Sequence, residues 1–331
     1  MNEFECPAAS TVLQAVDWAA RKLDGRPDHV SPADHVSPAD HVSPADYVSP
    51  ADYGGPPSRV ESELLLGEVC ASSRLELYLD HDRRLDPQES SRFTALVDRR
   101  MRGEPVQYLT GRTEFYGRGF EVSPAVLIPR PETERLVDHV RPCLDGMRRQ
   151  RAGNPVVRFA DIGTGSGVLA VTLTLECPFA QGYATDISPE ALEVARRNAD
   201  RLLGDRHDRI TFMLGSLLAP FDARGPHALD LIVANPPYVA SREMDGLPVE
   251  VRGYEPRLAL LGGKDGLDYH RALIEQAPGY LNAGGMIALE IGAGQSAAVA
   301  RLMTERRAYG NVEIVKDYNG LDRIVSAKYV G

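Results

Sequence analysis

Val156-Val157-Arg158-Phe159-Ala160-Asp161-Ile162-Gly163-Thr164-Gly165-Ser166-Gly167-Val168-Leu169-Ala170-Val171 is the stretch on which the fold turns. Val156, Val157, Phe159 and Ala160 make a short apolar run of strand type, and Val168 through Leu175 predicts a buried helix. Three glycines in five residues stand between them. Glycine is wanted where backbone turns tightly and passes close to a ligand, so strand, glycine loop and helix predict an α/β cofactor site. Spacing narrows the ligand. A dinucleotide fingerprint puts its third glycine at the sixth position, here Val168, and no Gly-Lys-Ser/Thr phosphate loop is present. The next strand, Tyr183 to Thr185, runs into Asp186, about twenty residues past the glycines, where a carboxylate can hold both hydroxyls of a ribose. Asp161, Gly163, Thr164, Gly165, Ser166, Gly167 and Asp186 are therefore the candidate cofactor residues. They point to S-adenosylmethionine, with S-adenosylhomocysteine as its product.

Downstream, Ser188-Pro189-Glu190 opens a helix, and strands are expected at Ile210 to Leu214, Leu229 to Ala234, Met286 to Ile291, Val312 to Lys316 and Arg323 to Ala327. Helices through Leu273, Ile274 and Leu281 and through Val299 and Leu302 alternate with them. This succession predicts an α/β fold over residues 131–331: the doubly wound, Rossmann-like sheet of a class I S-adenosylmethionine-dependent methyltransferase. The apolar run ending at Ala234 meets Asn235-Pro236-Pro237-Tyr238. Neither proline donates a ladder hydrogen bond, so the chain leaves the sheet there as a stiff polar loop. The Asn235 side-chain oxygen and the Pro236 carbonyl could accept the two hydrogens of a planar NH₂ group, with Tyr238 against its flat face. An ordinary strand exit would read the same from the tetrapeptide alone. Position adds to it, since both this loop and the glycine loop leave the carboxyl ends of strands, where α/β sheets bind ligands.

Upstream, residues 1–103 read as a small helical bundle. Val12, Ala15, Val16, Ala19 and Leu23 recur at helical spacing up to Gly25. Ser58 and Glu61 have capping-box spacing, and Asp86-Pro87 with Glu89 marks another helix carrying Phe93, Leu96, Val97 and Met101. Between residues 28 and 53 the hexapeptide His-Val-Ser-Pro-Ala-Asp begins at His29, His35 and His41 and recurs at Tyr47. Each unit has one valine and one proline, too little for a core, so a solvated insert is expected. In an extended polyproline helix the three histidines would stand about 19 Å apart, too far to share a metal. Val106 to Ile128, with Gly111, Gly117 and Gly119, reads as a β-hairpin linker over residues 104–130.

Composition restricts the partners. The 331 residues are 43% hydrophobic and 25% charged, a globular balance, with a formal net charge of −10 that disfavours a nucleic-acid-holding surface. Arg99, Arg100 and Arg102 read as a solvated helix face. Cys6, Cys70, Cys143 and Cys177 show no C-x-x-C spacing, so neither zinc nor disulfides are expected, and a reducing cytoplasm fits. Met1 to Ser10 lacks a signal-peptide pattern, and no run approaches the ~18 apolar residues of a membrane span.

Taken together, Glu104-Pro105 with Tyr108-Leu109-Thr110-Gly111, Leu127 to Glu134, Asp161 to Gly167, Asn235 to Tyr238, Glu255-Pro256 with Gly262 to Leu267, and Asp317-Tyr318 with Gly320 to Arg323 carry a resemblance over almost the whole chain. The sequence resembles the protein-(glutamine-N5) methyltransferases that act on peptide chain release factors, the HemK or PrmC family. The resemblance implies methyl transfer to the side-chain amide of the GGQ-motif glutamine in class I release factors, with the N-terminal helical domain recognising that partner. It implies cofactor contacts at Gly163 to Gly167, Asp186, Leu217 and Asn235, and substrate contacts at Asn235, Pro236, Pro237 and Tyr238. Ser216-Leu217 departs from the acidic residue and large side chain often found beside the adenine, and the hexapeptides have no counterpart. Two other substrates suit the same loop. Ribosomal-protein glutamine methyltransferases share Asn-Pro-Pro-Tyr, but Arg130-Pro131-Glu132-Thr133-Glu134 favours the release-factor branch. Adenine-N6 DNA methyltransferases also present an exocyclic amine, but the acidic charge and the lack of a basic target-reading domain count against them. A purely binding protein has little support beside an intact Asp161, Gly163, Gly165, Asp186 and Asn235.

Overall fold

The computed structural model describes residues 6–7, 9–26, 57–150, 156–224 and 229–331. The hexapeptide segment, with His29, His35 and His41, lies outside them. The chain divides into two compact units, the first holding residues up to Arg112 together with Pro248–Tyr254, the second Thr113–Leu247 with Glu255–Gly331.

In the first unit, α1 (Val12–Asp24) is capped by Thr11 and Gln14, which bond each other's backbone, and buries Val12, Ala15, Val16, Ala19 and Leu23. Helix α2 (Pro57–Cys70) begins one residue before Ser58, so the expected Ser58–Glu61 capping box does not form. Glu61 is taken instead by Arg26, at 2.9 Å, and by Arg100, at 2.8 Å. A helix not foreseen, α3 (Arg74–Leu79), carries its own capping box, Ser73 with Glu76. At α4 (Pro87–Met101), Asp86 and Glu89 cap reciprocally as their spacing predicts. Arg99 and Arg102 are exposed as the solvated-face reading expects, but Arg100 on α4 is 1% exposed, which overturns that reading for Arg100. It pairs with Glu61 and with Glu250, and Tyr254 donates to the Arg102 carbonyl at 2.9 Å, so buried charge fastens Pro248–Tyr254 into this unit. The hairpin reading also needs correction: Val106–Thr110 is helical (α5), started by Pro105 and ended by left-handed Gly111. Five residues are too few to show a helical period. The hairpin itself is only β1 (Arg112–Phe115) and β2 (Arg118–Glu121).

The second unit continues with a 3₁₀ turn at Pro131–Thr133, α6 (Glu134–Gln150), β3 (Val157–Ile162), α7 (Val168–Glu176), β4 (Ala180–Asp186) and α8 (Pro189–Leu203). After β5 (Ile210–Leu214) and β6 (Leu229–Ala234), the chain forms α9 (Val249–Tyr254), which belongs to the first unit. It then makes α10 (Arg257–Leu260), α11 (Asp268–Gln276), β7 (Leu281–Glu290), α12 (Ser296–Glu305), β8 (Tyr309–Lys316) and β9 (Asp322–Tyr329). Leu281, expected in a helix, opens β7. The seven-stranded sheet has the order β5-β4-β3-β6-β7-β9-β8. Strands β5 to β7 pair in parallel, and β9 runs antiparallel to both β7 and β8. Every residue of β6 is buried, as a strand covered on both faces requires. Its one polar member, Asp230, accepts from Arg158 N at 2.8 Å and from Asn282 Nδ2 at 2.6 Å. One apolar cluster, with Val157, Phe159, Leu231 and Val233, backs α6 and α7; another, with Ile162, Ile232 and Ala234, backs α11 and α12. Strand order reverses between β3 and β6, which puts a crevice beyond their carboxyl ends.

Candidate active site

A cavity of about 390 Å³ opens at that switch point. Asp161, Gly163, Thr164, Gly165, Ser166, Asp186, Leu217, Asn235, Pro236 and Pro237 line it. Two expected site residues do not. Gly167 instead caps α7 at φ +83°, where a Cβ would stand 3.1 Å from Ala195 Cβ, so its bareness serves the packing of α7 on α8. Tyr238 lies over Gly292, where a Cβ would meet Tyr238 Cδ2 at 2.9 Å, and its carbonyl accepts from Gln295 Nε2 at 3.0 Å.

The glycine loop does not work as an anion nest. Gly163 N and Thr164 N both donate to the Thr185 carbonyl at 2.9 Å, Gly165 N donates to Asp186 Oδ2 at 2.9 Å, and Gly167 N to the Thr164 carbonyl at 2.8 Å. These four loop amides are already committed within the protein and are not free for a phosphate. Gly163 and Gly165 take φ of +72° and +55°, and a Cβ on either would meet nothing within 4 Å, so bare backbone faces the cavity. Asn198 steadies the loop by donating to the Ser166 carbonyl at 2.9 Å.

Asp161 is 1% exposed, with Oδ2 accepting from Thr164 Oγ1 at 2.6 Å and from Ala170 N at 3.1 Å, while Oδ1 takes no hydrogen bond. Burial pushes this carboxyl up to about 7, against those two bonds. Burial also raises Asp186, opposed by the Ser188, Gly165 and Ile187 amides. With Glu190 also in the lining, three carboxyl side chains and, among the described residues, no lysine, arginine or histidine line the cavity. Such a lining repels phosphates and favours a cationic, phosphate-free nucleoside, and the unsatisfied Asp161 oxygen awaits a donor. S-adenosylmethionine fits these features. Leu217 is held at φ +50° at the cavity wall, its carbonyl accepting from Thr185 Oγ1 at 3.2 Å.

On the other side, Asn235 is half-buried, and its Nδ2 donates to Thr133 Oγ1 at 3.1 Å. Thr133 also lines the cavity. The turn bearing it is anchored by Arg130, which pairs with buried Glu255 at 2.6 Å, while the other Glu255 oxygen accepts from Ile128 N at 3.2 Å. Behind the Asn235 loop lies the 260–266 segment. Val239 N donates to the Leu260 carbonyl at 2.9 Å and Gly262 N to the Val239 carbonyl at 2.8 Å. A Cβ on Gly262 would stand 2.7 Å from the Pro237 oxygen, so only glycine lets the segments lie this close. The sequence shows Thr133 and Gly262 only as members of the Arg130–Glu134 and Gly262–Leu267 segments, without a place at the site, and nothing local marks Gln295. Among the described residues no cluster of histidine, cysteine or carboxylate could hold a metal, and no helix is long and apolar enough to cross a membrane.

A doubly wound sheet, a phosphate-free glycine loop and a carboxylate-lined cavity at the switch point define a class I S-adenosylmethionine-dependent methyltransferase. The likeness to a solved structure, the hMettl16 catalytic domain, agrees on the fold, with a TM-score of 0.50 at 16% identity over 75% of this chain and 84% of that one. Residues 51–111 match the PrmC N-terminal domain and residues 148–249 the methyltransferase small domain. The release factor glutamine methyltransferase of Moorella thermoacetica is 46% identical over 265 residues, covering 80% of this chain and 89% of that protein. That of Geobacter sulfurreducens is 40% identical over 271 residues, covering 82% and 89%. The chain belongs to the release factor glutamine methyltransferase family.

Proposed function

We infer that this protein transfers a methyl group from S-adenosylmethionine to the side-chain amide nitrogen of a glutamine in a class I peptide chain release factor. The observation that carries this reading is the meeting, in one cavity that no cationic side chain lines among the described residues, of a phosphate-free nucleoside site and the neutral acceptor loop Asn235-Pro236-Pro237. When bound, the cofactor supplies a methyl on a positively charged sulfur.

The chain's own residues must make up for a poor nucleophile, since the amide nitrogen's lone pair is delocalised into its carbonyl. Asn235 Oδ1 and the Pro236 carbonyl accept the two amide hydrogens and aim the nitrogen along the line of transfer. As the nitrogen–carbon bond forms, those hydrogens become more acidic and the same two acceptors bind them more strongly, which is selective support for the transition state. The proton leaves late, to these acceptors or to water, so no strong base is needed. The fixed prolines keep the acceptors in place without reorganisation.

Incubation with purified release factors and labelled S-adenosylmethionine, followed by peptide mapping, tests the reading. One methyl on a release-factor glutamine is expected. Methyl appearing instead on a ribosomal protein or on DNA adenine would overturn the substrate.

A further inference from the structure

An asparagine amide presents oxygen or nitrogen to the same place after a half-turn of its terminal torsion, and that torsion has two nearly equal minima. A site that uses Asn235 as an acceptor must settle which atom faces the substrate. The Asn235–Thr133 contact bears on this choice: Nδ2 donates to Thr133 Oγ1 at 3.1 Å across 102 residues of sequence. Thr133 is 2% exposed and β-branched, which limits its own rotation. It closes the 3₁₀ turn Pro131–Thr133, its amide bonded to the Arg130 carbonyl at 3.1 Å, and Arg130 is in turn anchored on Glu255. A rigid hydroxyl therefore meets the nitrogen end of the amide.

We propose that Thr133 is a positioning residue for methyl transfer, taking the Asn235 nitrogen so that Oδ1 is committed to the substrate amide. It rests on the glutamine-amide reading above. Removing the hydroxyl frees the amide to turn, and its NH₂ then confronts the substrate's NH₂, donor against donor.

The test is single-turnover methylation of a release factor at saturating S-adenosylmethionine by Thr133→Val, Thr133→Ser, Asn235→Ala and the double variant Thr133→Val/Asn235→Ala. Thr133→Val should slow transfer about 3- to 10-fold, the scale of one neutral hydrogen bond, with cofactor affinity by calorimetry unchanged. Thr133→Ser, which keeps the hydroxyl, should stay within about twofold of wild type. In the Asn235→Ala background Thr133→Val should cost nothing more, because the atom it positions is gone. A second readout needs no turnover: in protein labelled with ¹⁵N at asparagine, the Asn235 side-chain signal should shift in Thr133→Val and hold in Thr133→Ser. A wild-type rate in Thr133→Val would overturn the proposal. So would an equal loss in the Asn235→Ala background or a parallel loss of cofactor affinity, since either marks a collapsed wall rather than a turned amide. If wild-type protein leaves release-factor glutamine unmethylated, it is the substrate reading that fails, and the unmoved or moved Asn235 signal still decides the Thr133 contact.

Discussion

Two loops leave the neighbouring strands β3 and β6 and reach one cavity, and they hold their shapes by opposite means. The loop after β3 is made of residues with the fewest conformational restraints and is held from outside, by the Thr185 carbonyl, the Asp186 carboxylate and Asn198. The loop after β6 has two prolines that restrain its backbone from within, while outside contacts back it through Gly262 and Gln295 and hold the Asn235 side chain through Thr133. The first suits a ligand wrapped by backbone, which needs unusual φ values and no side chains in the way. The second suits a reacting group, where an acceptor displaced by a few tenths of an ångström loses alignment with the transition state.

If that division holds, damage to the β6 loop should appear in turnover and damage to the β3 loop in cofactor affinity. The largest effect is expected from Asn235→Ala, whose single-turnover rate should fall by about 2–4 kcal/mol, or roughly 30- to 1000-fold, with cofactor affinity nearly unchanged. A matching drop in affinity would erase the contrast. Next is Gly165→Val, which sets a β-branched side chain at φ +55° and points its Cβ into the cavity. Strain and lost space together should weaken cofactor binding by about 2–3 kcal/mol, measured by calorimetry, while the folded protein persists.

Asp186→Ala should weaken binding by about 1.5–3 kcal/mol, the scale of charge-assisted hydrogen bonds. Because Asp186 also braces Gly165 N, its effect and that of Gly165→Val should add to less than their sum. Full additivity would show that the brace is idle.

A smaller effect lies in the pH dependence. Asp161 ionises at about 7 when folded, above its unfolded value of about 3.9, so between those limits the folded chain keeps a proton that the unfolded chain has lost. That contribution to stability is full at low pH and disappears as pH rises through about 7. A cation bound beside it drives the proton off, so S-adenosylmethionine affinity should climb with pH, by no more than about tenfold per unit, and level off above about 7. Calorimetry in buffers of different ionisation heat should register proton release, and Asp161→Asn should abolish it. The smallest effect belongs outside both loops: removing residues 29–52 should leave turnover within about twofold, since loop length alone costs little. A large loss would give the repeats a role in function.

Much of this site was legible because its signals are local. Strand, glycine loop, helix and acidic strand end follow one another in the chain, and the prolines of the second loop announce a strand exit by their missing N–H groups. The capping pair Asp86–Glu89 was readable for the same reason, three residues being one helical turn. The same rule failed at Ser58–Glu61, where an identical spacing serves a buried carboxylate that bonds Arg26 and Arg100. Spacing reports which residues can share a helical turn, not what the rest of the fold demands of them.

What only the tertiary structure decided are the pairings between distant segments: Asn235 with Thr133, Tyr238 with Gln295, Gly262 against Pro237, Arg130 with Glu255. Each joins segments far apart in sequence that only the fold brings together, and such proximity leaves no periodic trace in the chain. The sequence determined which chemical groups are present and which strand ends carry them, because those follow from backbone restraint and residue type. The nitrogen of Asn235 meets a hydroxyl 102 residues away, and only folding brings that hydroxyl within 3.1 Å.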